Sequence, residues 1–152
     1  MTAAAPLIRP AKLEEAEEIA ALSRTSRAHF LPYLPQLHTP EEDKAFFRNS
    51  VFSECEIWVA EDGGQIVGFC AFKGDWLAHL YLRPSHVGRS IGTQLLGKAK
   101  DRHHTLKLWV FQQNLPAIRF YVRHGFRKIT ETDGASNEER APDAMYQWNR
   151  CR

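Results

Sequence analysis

The sequence predicts an α/β (α+β) fold, a mixed sheet with helices against its faces. Three observations carry that prediction. Segments with strand-like alternation and segments with helical spacing succeed one another in the order βαα-βββ-α-β-α-ββ. The 152 residues suit one core, and a chain of that size buries roughly 68–70% of its unfolded surface without staples. No repeat, low-complexity tract or long linker divides the chain, so residues 1–152 are expected to form a single domain.

Each element has its own signal. "PLIRP" is a short first strand between prolines. "AKLEEAEEIAALSRTSRAHF" is a helix with Leu13, Ala16, Ile19 and Ala20 facing inward and the glutamates outward. Pro32 and Pro35 make "LPYLPQLH" a loop. A second helix opens at "TPEEDKAFFRNSVF", where Thr39 and Glu42 have capping-box spacing and Pro40 suits the first helical position. "EIWVAEDGGQIVGFCAF" is a hairpin turning at "DGG". "WLAHLYLRP" is a strand that Pro84 ends, a helix runs to about His103, and "TLKLWVF" is the next strand. "NLPAIRFYVRHG" is a helix capped by Asn114, with Pro116 in its first turn and Gly125 closing it. "FRKIT" and "AMYQW" are two last strands around a polar loop.

Composition excludes several function classes. An apolar fraction of 43% with 25% charged residues is that of a globular protein. A net charge of +2 is too small to argue for nucleic acid or an anionic membrane as partner. Cys55, Cys70 and Cys151 are odd in number and form no CxxC pair, so neither a disulfide framework nor a zinc site is expected. The His103–His104 pair is no metal site either, since adjacent helical side chains diverge. "MTAAAPLIRP" lacks the features of a signal peptide and no apolar run could span a bilayer, so a cytoplasmic location is expected.

The informative stretch is "HVGRSIGTQLLGKAK", from His86 to Lys100. Gly88 and Gly92 allow close approach of a ligand, Arg89 is a cation, and Ile91 anchors the helix that begins there. A helix N-terminus presents unpaired N–H groups and partial positive charge, which hold phosphates where glycines permit contact. The alternative is a plain glycine turn before a helix with a solvated basic face. Neither a Walker loop nor a Rossmann fingerprint is present, because the glycine offsets differ.

The flanking residues decide between the two. The span from "HLYLRP" to "YVRHGF" resembles the GNAT (Gcn5-related) N-acetyltransferase family. That family's pyrophosphate loop reads [Q/R]-x-x-G-x-[G/A], and its next strand and helix read N-x-x-A-x-x-F-Y-x-x-x-G-F. The second motif stands complete as Asn114, Ala117, Phe120, Tyr121, Gly125 and Phe126. The first departs at Val87, in place of Gln or Arg, and at Ser90, in place of glycine. The Ser90 hydroxyl would cap the helix or meet a phosphate, or its Cβ would crowd the pyrophosphate.

The resemblance implies a mostly antiparallel sheet of about six to seven strands with about four helices. It also implies direct transfer of an acetyl group from acetyl-CoA to a primary amine of a small molecule or peptide, with no metal, nucleic acid or membrane involved. A homodimer is common in such families. The implied cofactor residues are Leu80, Tyr81 and Leu82 by their backbone, the loop Val87, Gly88, Arg89, Ser90, Ile91, Gly92 and Thr93, and Asn114 and Phe120 on the helix beyond. Tyr121 is the implied proton donor to the leaving thiolate; its other reading is aromatic packing. The base is open among His79, Asp75 and a water chain, because Ala78 stands where an acidic residue is usual. Tyr33, His38, Trp76 and Glu139 are expected around the acceptor. The alternative function on the same fold is a non-catalytic acyl-CoA-binding sensor or interaction module.

Overall fold

The strand segments pair into one sheet. The computed structural model describes residues 5–151. Its strands are β1 (Leu7–Pro10), β2 (Glu56–Asp62), β3 (Gln65–Lys73), β4 (Trp76–Leu82), β5 (Thr105–Phe111), β6 (Arg127–Thr132) and β7 (Asp143–Asn149). They lie in the order β1-β2-β3-β4-β5-β7-β6, and every neighbouring pair is antiparallel except β4–β5. The expected "DGG" hairpin forms: Asp62 faces Gln65 across Gly63 and Gly64, whose φ angles of 60° and 79° a two-residue turn of this hand requires.

Helix α1 (Ala16–Phe30) turns Ile19, Ala20 and Leu22 into the sheet. Leu13 departs from the expected inward position. It sits in a 3-10 turn (Leu13–Glu15) ahead of the α-helix, which breaks the helical phase and leaves Leu13 60% exposed. Helix α2 (Pro40–Phe46) starts as its capping box predicts: the Glu42 N–H donates to Thr39 Oγ1 at 3.1 Å, and the Thr39 N–H donates to Glu42 Oε1 at 2.9 Å. It runs through a π-helical segment (Phe47–Val51) into the single turn α3 (Phe52–Glu54). Helices α4 (Ile91–Asp101) and α5 (Leu115–Arg123) cover the other face.

Two cores result, one on each face of the sheet. Ile19, Leu22, Phe47 and Phe69 pack together on the α1–α2 side. Cys70, Leu95, Leu106 and Phe126 pack on the α4–α5 side. Phe69 and Phe126 are essentially inaccessible, so truncating either to alanine costs about 3–5 kcal/mol. At the sheet edge Arg9 joins Glu15 at 2.6 Å and Glu61 at 2.9 Å, tying β1 to the 3-10 turn and to β2. The hydrogen bond from Arg9 holds the Glu15 carboxyl below the usual carboxylate range.

One irregularity in β4 sets which of its side chains reach each face. Phe72 faces Leu77 but Ala71 faces His79, so Ala78 is an inserted residue. The bulge reverses the alternation. Leu77 points into the α4–α5 core, whereas His79 and Tyr81 point to the α1–α2 side. None of the helices of the described residues is long and apolar enough to cross a membrane.

Candidate active site

Strands β4 and β5 begin side by side and then part. Their ladder contains one pair, Trp76 with Lys107, supported by the Lys107 N–H donating to the Asp75 carbonyl at 2.7 Å. Beyond it the two strands leave a cleft of about 700 Å³, walled by Leu80–Leu82 on one side and by α5 from Asn114 to His124 on the other. The edge of β4 facing it keeps main-chain groups without a strand partner, the arrangement to which an amide-bearing chain adds as a strand would.

At one end of the cleft lies the N-terminus of α4. The N–H groups of Ile91, Gly92 and Thr93 precede the first helical bond, from the Gln94 N–H to the Ser90 carbonyl, and take no partner among the described residues. Gly88 holds φ at 77° with open space around it, so glycine is required there for its backbone alone. Ser90 also stands in the left-handed region, at φ 64°. That angle explains why a glycine is usual at this position, and it corrects one expectation, since the Ser90 side chain makes no capping hydrogen bond. Gly92 has a different role from simple ligand access. An added Cβ would lie 3.3 Å from the Phe120 ring, so the glycine lets α4 and α5 pack at the cleft floor.

Not all the expected loop side chains face the cleft. Val87, Gly88, Ser90, Gly92 and Thr93 line it. The Ile91 side chain is buried in the core, leaving only its N–H to the site, and the Arg89 side chain lies outside the lining. The basic face of α4 is occupied elsewhere: Lys98 lies 4.8 Å from the Trp58 ring centroid, Lys100 donates to the His124 carbonyl at 2.7 Å, and Arg102 pairs with Glu56 at 3.4 Å. Arg123 and His124 line the cleft instead. His124 Nδ1 donates to the Phe120 carbonyl at 2.7 Å, so in the neutral ring Nε2 accepts from the Thr93 hydroxyl at 2.9 Å. This bond staples the start of α4 to the end of α5.

Asn114 both caps α5, accepting from the Ala117 N–H at 3.4 Å, and lines the cleft. Tyr121 lines it too. Its ring meets Phe120 and Phe126 edge-on, each at 5.4 Å, so the packing and cleft-facing readings hold together. Its hydroxyl makes no hydrogen bond among the described residues. Burial, with Tyr81 and Cys70 nearby, pushes it above its ordinary value, and it keeps its proton at neutral pH.

A second cavity of about 600 Å³ lies on the α1–α2 side, between the loop after α1 and the β6–β7 connection. It shares Leu31 and Tyr81 with the cleft, so the two meet at the Tyr81 side chain. His79 lines this cavity among Phe46, Phe47 and Phe69. Burial, and then the charge of Arg27, push its imidazole down to about 4. It is therefore neutral at physiological pH, and its nitrogens bond to no described residue. His38 lines the cavity and reaches across it to Glu138 at 2.5 Å. Tyr33 is half exposed and outside the lining, although its neighbours Pro32 and Leu34 belong to it. Trp76 lies outside both cavities, stacked on Trp109 at 6.5 Å with Lys107 beside it. No cluster of three or more metal-ligating side chains occurs among the described residues.

The model of the acetyltransferase (GNAT) domain matches residues 53–128, half of the chain. The chain belongs to the GNAT family. Peptidyl-lysine N-acetyltransferase YiaC of Escherichia coli K12 is 38% identical to it over 83 residues, 54% of this chain and 57% of that protein. Peptidyl-lysine N-acetyltransferase YjaB of the same organism is 30% identical over 122 residues, 79% of this chain and 81% of that one. The solution structure of apo YjaB superposes with a TM-score of 0.78 at 25% identity, covering 95% of this chain and 98% of that one. The acetyltransferase yncA of Salmonella typhimurium, solved with its cofactor acetyl-CoA, shares the fold at a TM-score of 0.72 and 18% identity, covering 98% and 96%.

Within this GNAT fold the residues that the sequence underrates are Tyr81 and Arg27, whereas Glu139, expected around the acceptor, lines the second cavity. Tyr81 contributes its side chain as well as its backbone, and only the Ala78 bulge reveals it. Arg27 lies on a helix whose apolar pattern gives no hint of a site.

Proposed function

We propose that this GNAT chain transfers the acetyl group of acetyl-CoA directly to a primary amine of a small molecule or peptide. The observation that carries the reading is the meeting of two cavities at Tyr81 and Leu31. One is a cleft with free helix N–H groups at one end and an open strand edge along its side, which fits the phosphates and amide-rich arm of CoA. The other is a partly apolar cavity that opens on the same tyrosine.

When bound, acetyl-CoA supplies an activated acyl group, and the chain's residues hold it and manage two protons. The free N–H groups of Ile91, Gly92 and Thr93, with Gly88 and Ser90, cradle phosphate, while Leu80–Leu82 and Asn114 hold the arm. His79, kept neutral, takes the proton that the acceptor ammonium must lose, directly or through water. Tyr121 donates its proton to the departing sulfur. His38 borders the acceptor, with Tyr33 next to the lining residues Pro32 and Leu34. A cytoplasmic setting belongs to the same proposal, since all three cysteines are free in a fold that needs no disulfide.

The test is release of CoA thiol when acetyl-CoA is mixed with a panel of amines and with a lysine-containing peptide, the acceptor class in the names of YiaC and YjaB. Amine-dependent release is expected. Tight acetyl-CoA binding without turnover on any amine would refute the enzyme and leave a binding module.

A further inference from the structure

The acceptor cavity contains two opposite charges that no group among the described residues neutralises. Glu139 Oε2 is buried and takes no hydrogen bond there. The Arg27 guanidinium lines the same cavity and has no hydrogen-bond or ion-pair partner among the described residues. The other charged side chains are engaged: Arg24 with Asp43 at 2.9 Å, His38 with Glu138 at 2.5 Å, and Glu42 in the cap of α2. Tyr81 lines the same cavity as Arg27 and Glu139; burial pushes its hydroxyl up, and the charges of Arg27 and Glu139 then act on it in opposite directions. The remaining wall is largely apolar, with Leu34, Leu37, Phe46 and Phe47 beside Ser23 and Gln36.

Both side chains are only partly buried, but a carboxylate oxygen buried without a partner is unfavourable, and an unpaired guanidinium lining the same cavity gains by finding an anion. A ligand that brings both complementary charges removes both penalties. Resting on the amine-acetyltransferase reading, we propose that the acceptor is a free amino acid with an apolar side chain. Glu139 takes its ammonium, Arg27 takes its carboxylate, and the phenylalanines take its side chain. A polyamine would set a second cation against Arg27. A lysine side chain in a peptide brings no carboxylate to it. Arg27, Phe46, Phe47 and Glu139 all lie outside residues 53–128, which match the family model.

The experiment is calorimetry with the full chain in the presence of CoA, which carries no acetyl group to transfer. Three probes share one ring: L-phenylalanine, 2-phenylethylamine and 3-phenylpropanoate. Phenylalanine is expected to bind at least tenfold tighter than either of the others. Arg27→Gln should bring phenylalanine to the level of phenylethylamine, and Glu139→Gln to that of phenylpropanoate, while Arg27→Lys keeps part of the preference. Equal binding of phenylethylamine and phenylalanine by the unmutated chain overturns the proposal, as does no binding of any probe. These outcomes need no variant to fold. Turnover on a lysine peptide with no preference for the zwitterion overturns this inference and leaves acetyl transfer standing. Absence of turnover on every amine overturns acetyl transfer, while the calorimetric ratios still decide this one.

Discussion

Replacing Tyr121 by phenylalanine separates chemistry from packing. The ring keeps its edge-on contacts with Phe120 and Phe126, both at 5.4 Å. The lost hydroxyl makes no hydrogen bond to the described residues, so no protein donor or acceptor is orphaned. Stability should change by less than about 1 kcal/mol. A lost general acid lowers kcat by about 10²–10⁴-fold, which is about 2.7–5.4 kcal/mol at 1.36 kcal/mol per tenfold. The KM for acetyl-CoA should hardly move, because the proton matters only as the C–S bond breaks. Tyr121→Ala is the contrasting variant: it opens a cavity between α5 and the sheet and should cost about 3–5 kcal/mol of stability. The assay is steady-state thiol release on a good acceptor, with a pre-steady-state burst measurement to show that chemistry limits the rate. Normal turnover by Tyr121→Phe under that condition refutes the donor assignment. If Tyr81→Phe then loses activity, the proton comes from the other tyrosine at the junction.

Three further outcomes rest on particular residues. Ser90→Gly should stabilise the fold, since it relieves about 1–2 kcal/mol of left-handed strain at φ 64° and loses no cap. Against an unfolded-state cost of about 0.4–1 kcal/mol, a Tm rise of roughly 1–4 °C is expected, with acetyl-CoA affinity kept or improved; a lower Tm with weaker binding would show that the hydroxyl holds a ligand. For His79 the folded value of about 4 lies below the ordinary 6.5, so the unfolded chain binds the proton first and stability falls as pH drops from about 6.5 to 4. The loss is on the order of 3 kcal/mol, read by urea unfolding at several pH values, and His79→Gln should flatten that slope. Trp76→Ala should leave the acceptor KM within about twofold, because the ring lies outside both cavities; a large rise in KM would return Trp76 to the site.

The elements legible in the sequence are those fixed by local chemistry. Thr39, Pro40 and Glu42 place one helix start through bonds three residues apart, and Asn114 places another. "DGG" dictates its own turn. The cleft proposed for the cofactor is legible for the same reason, since it is built mainly from main chain: glycine angles, a helix N-terminus and a strand edge leave marks in the spacing of residues. Leu13 escapes the helical pattern because a 3-10 turn shifts phase without any residue that forbids a helix. The position of Trp76 outside both cavities is not legible, because strand membership does not say how far along a sheet face the covering helices extend. Arg27 gives no signal, because a cation at a helix end is normally solvated.

The acceptor side depends on a feature that local pattern hides. Under strict alternation Leu77, His79 and Tyr81 would share one face, and whichever face received Leu77 would receive the other two. The extra residue Ala78 sends the leucine to one core and the histidine and tyrosine to the other. It does so at the position where an acidic residue is usual in the family, so the substitution and the bulge bear on the same function. Ala78 carries no carboxylate, and the one proposed to meet the acceptor amine is Glu139, on the β6–β7 connection, whose Oε2 is buried without a partner among the described residues. On the proposed function, holding the amine and taking its proton fall to different residues. In that proposal Glu139 supplies charge, and His79 supplies a neutral nitrogen that burial keeps unprotonated. That division predicts different kinetic signatures, with Glu139→Gln acting mainly on the acceptor KM and His79→Gln mainly on kcat. Equal loss of both parameters in both variants would mean that one residue performs both tasks.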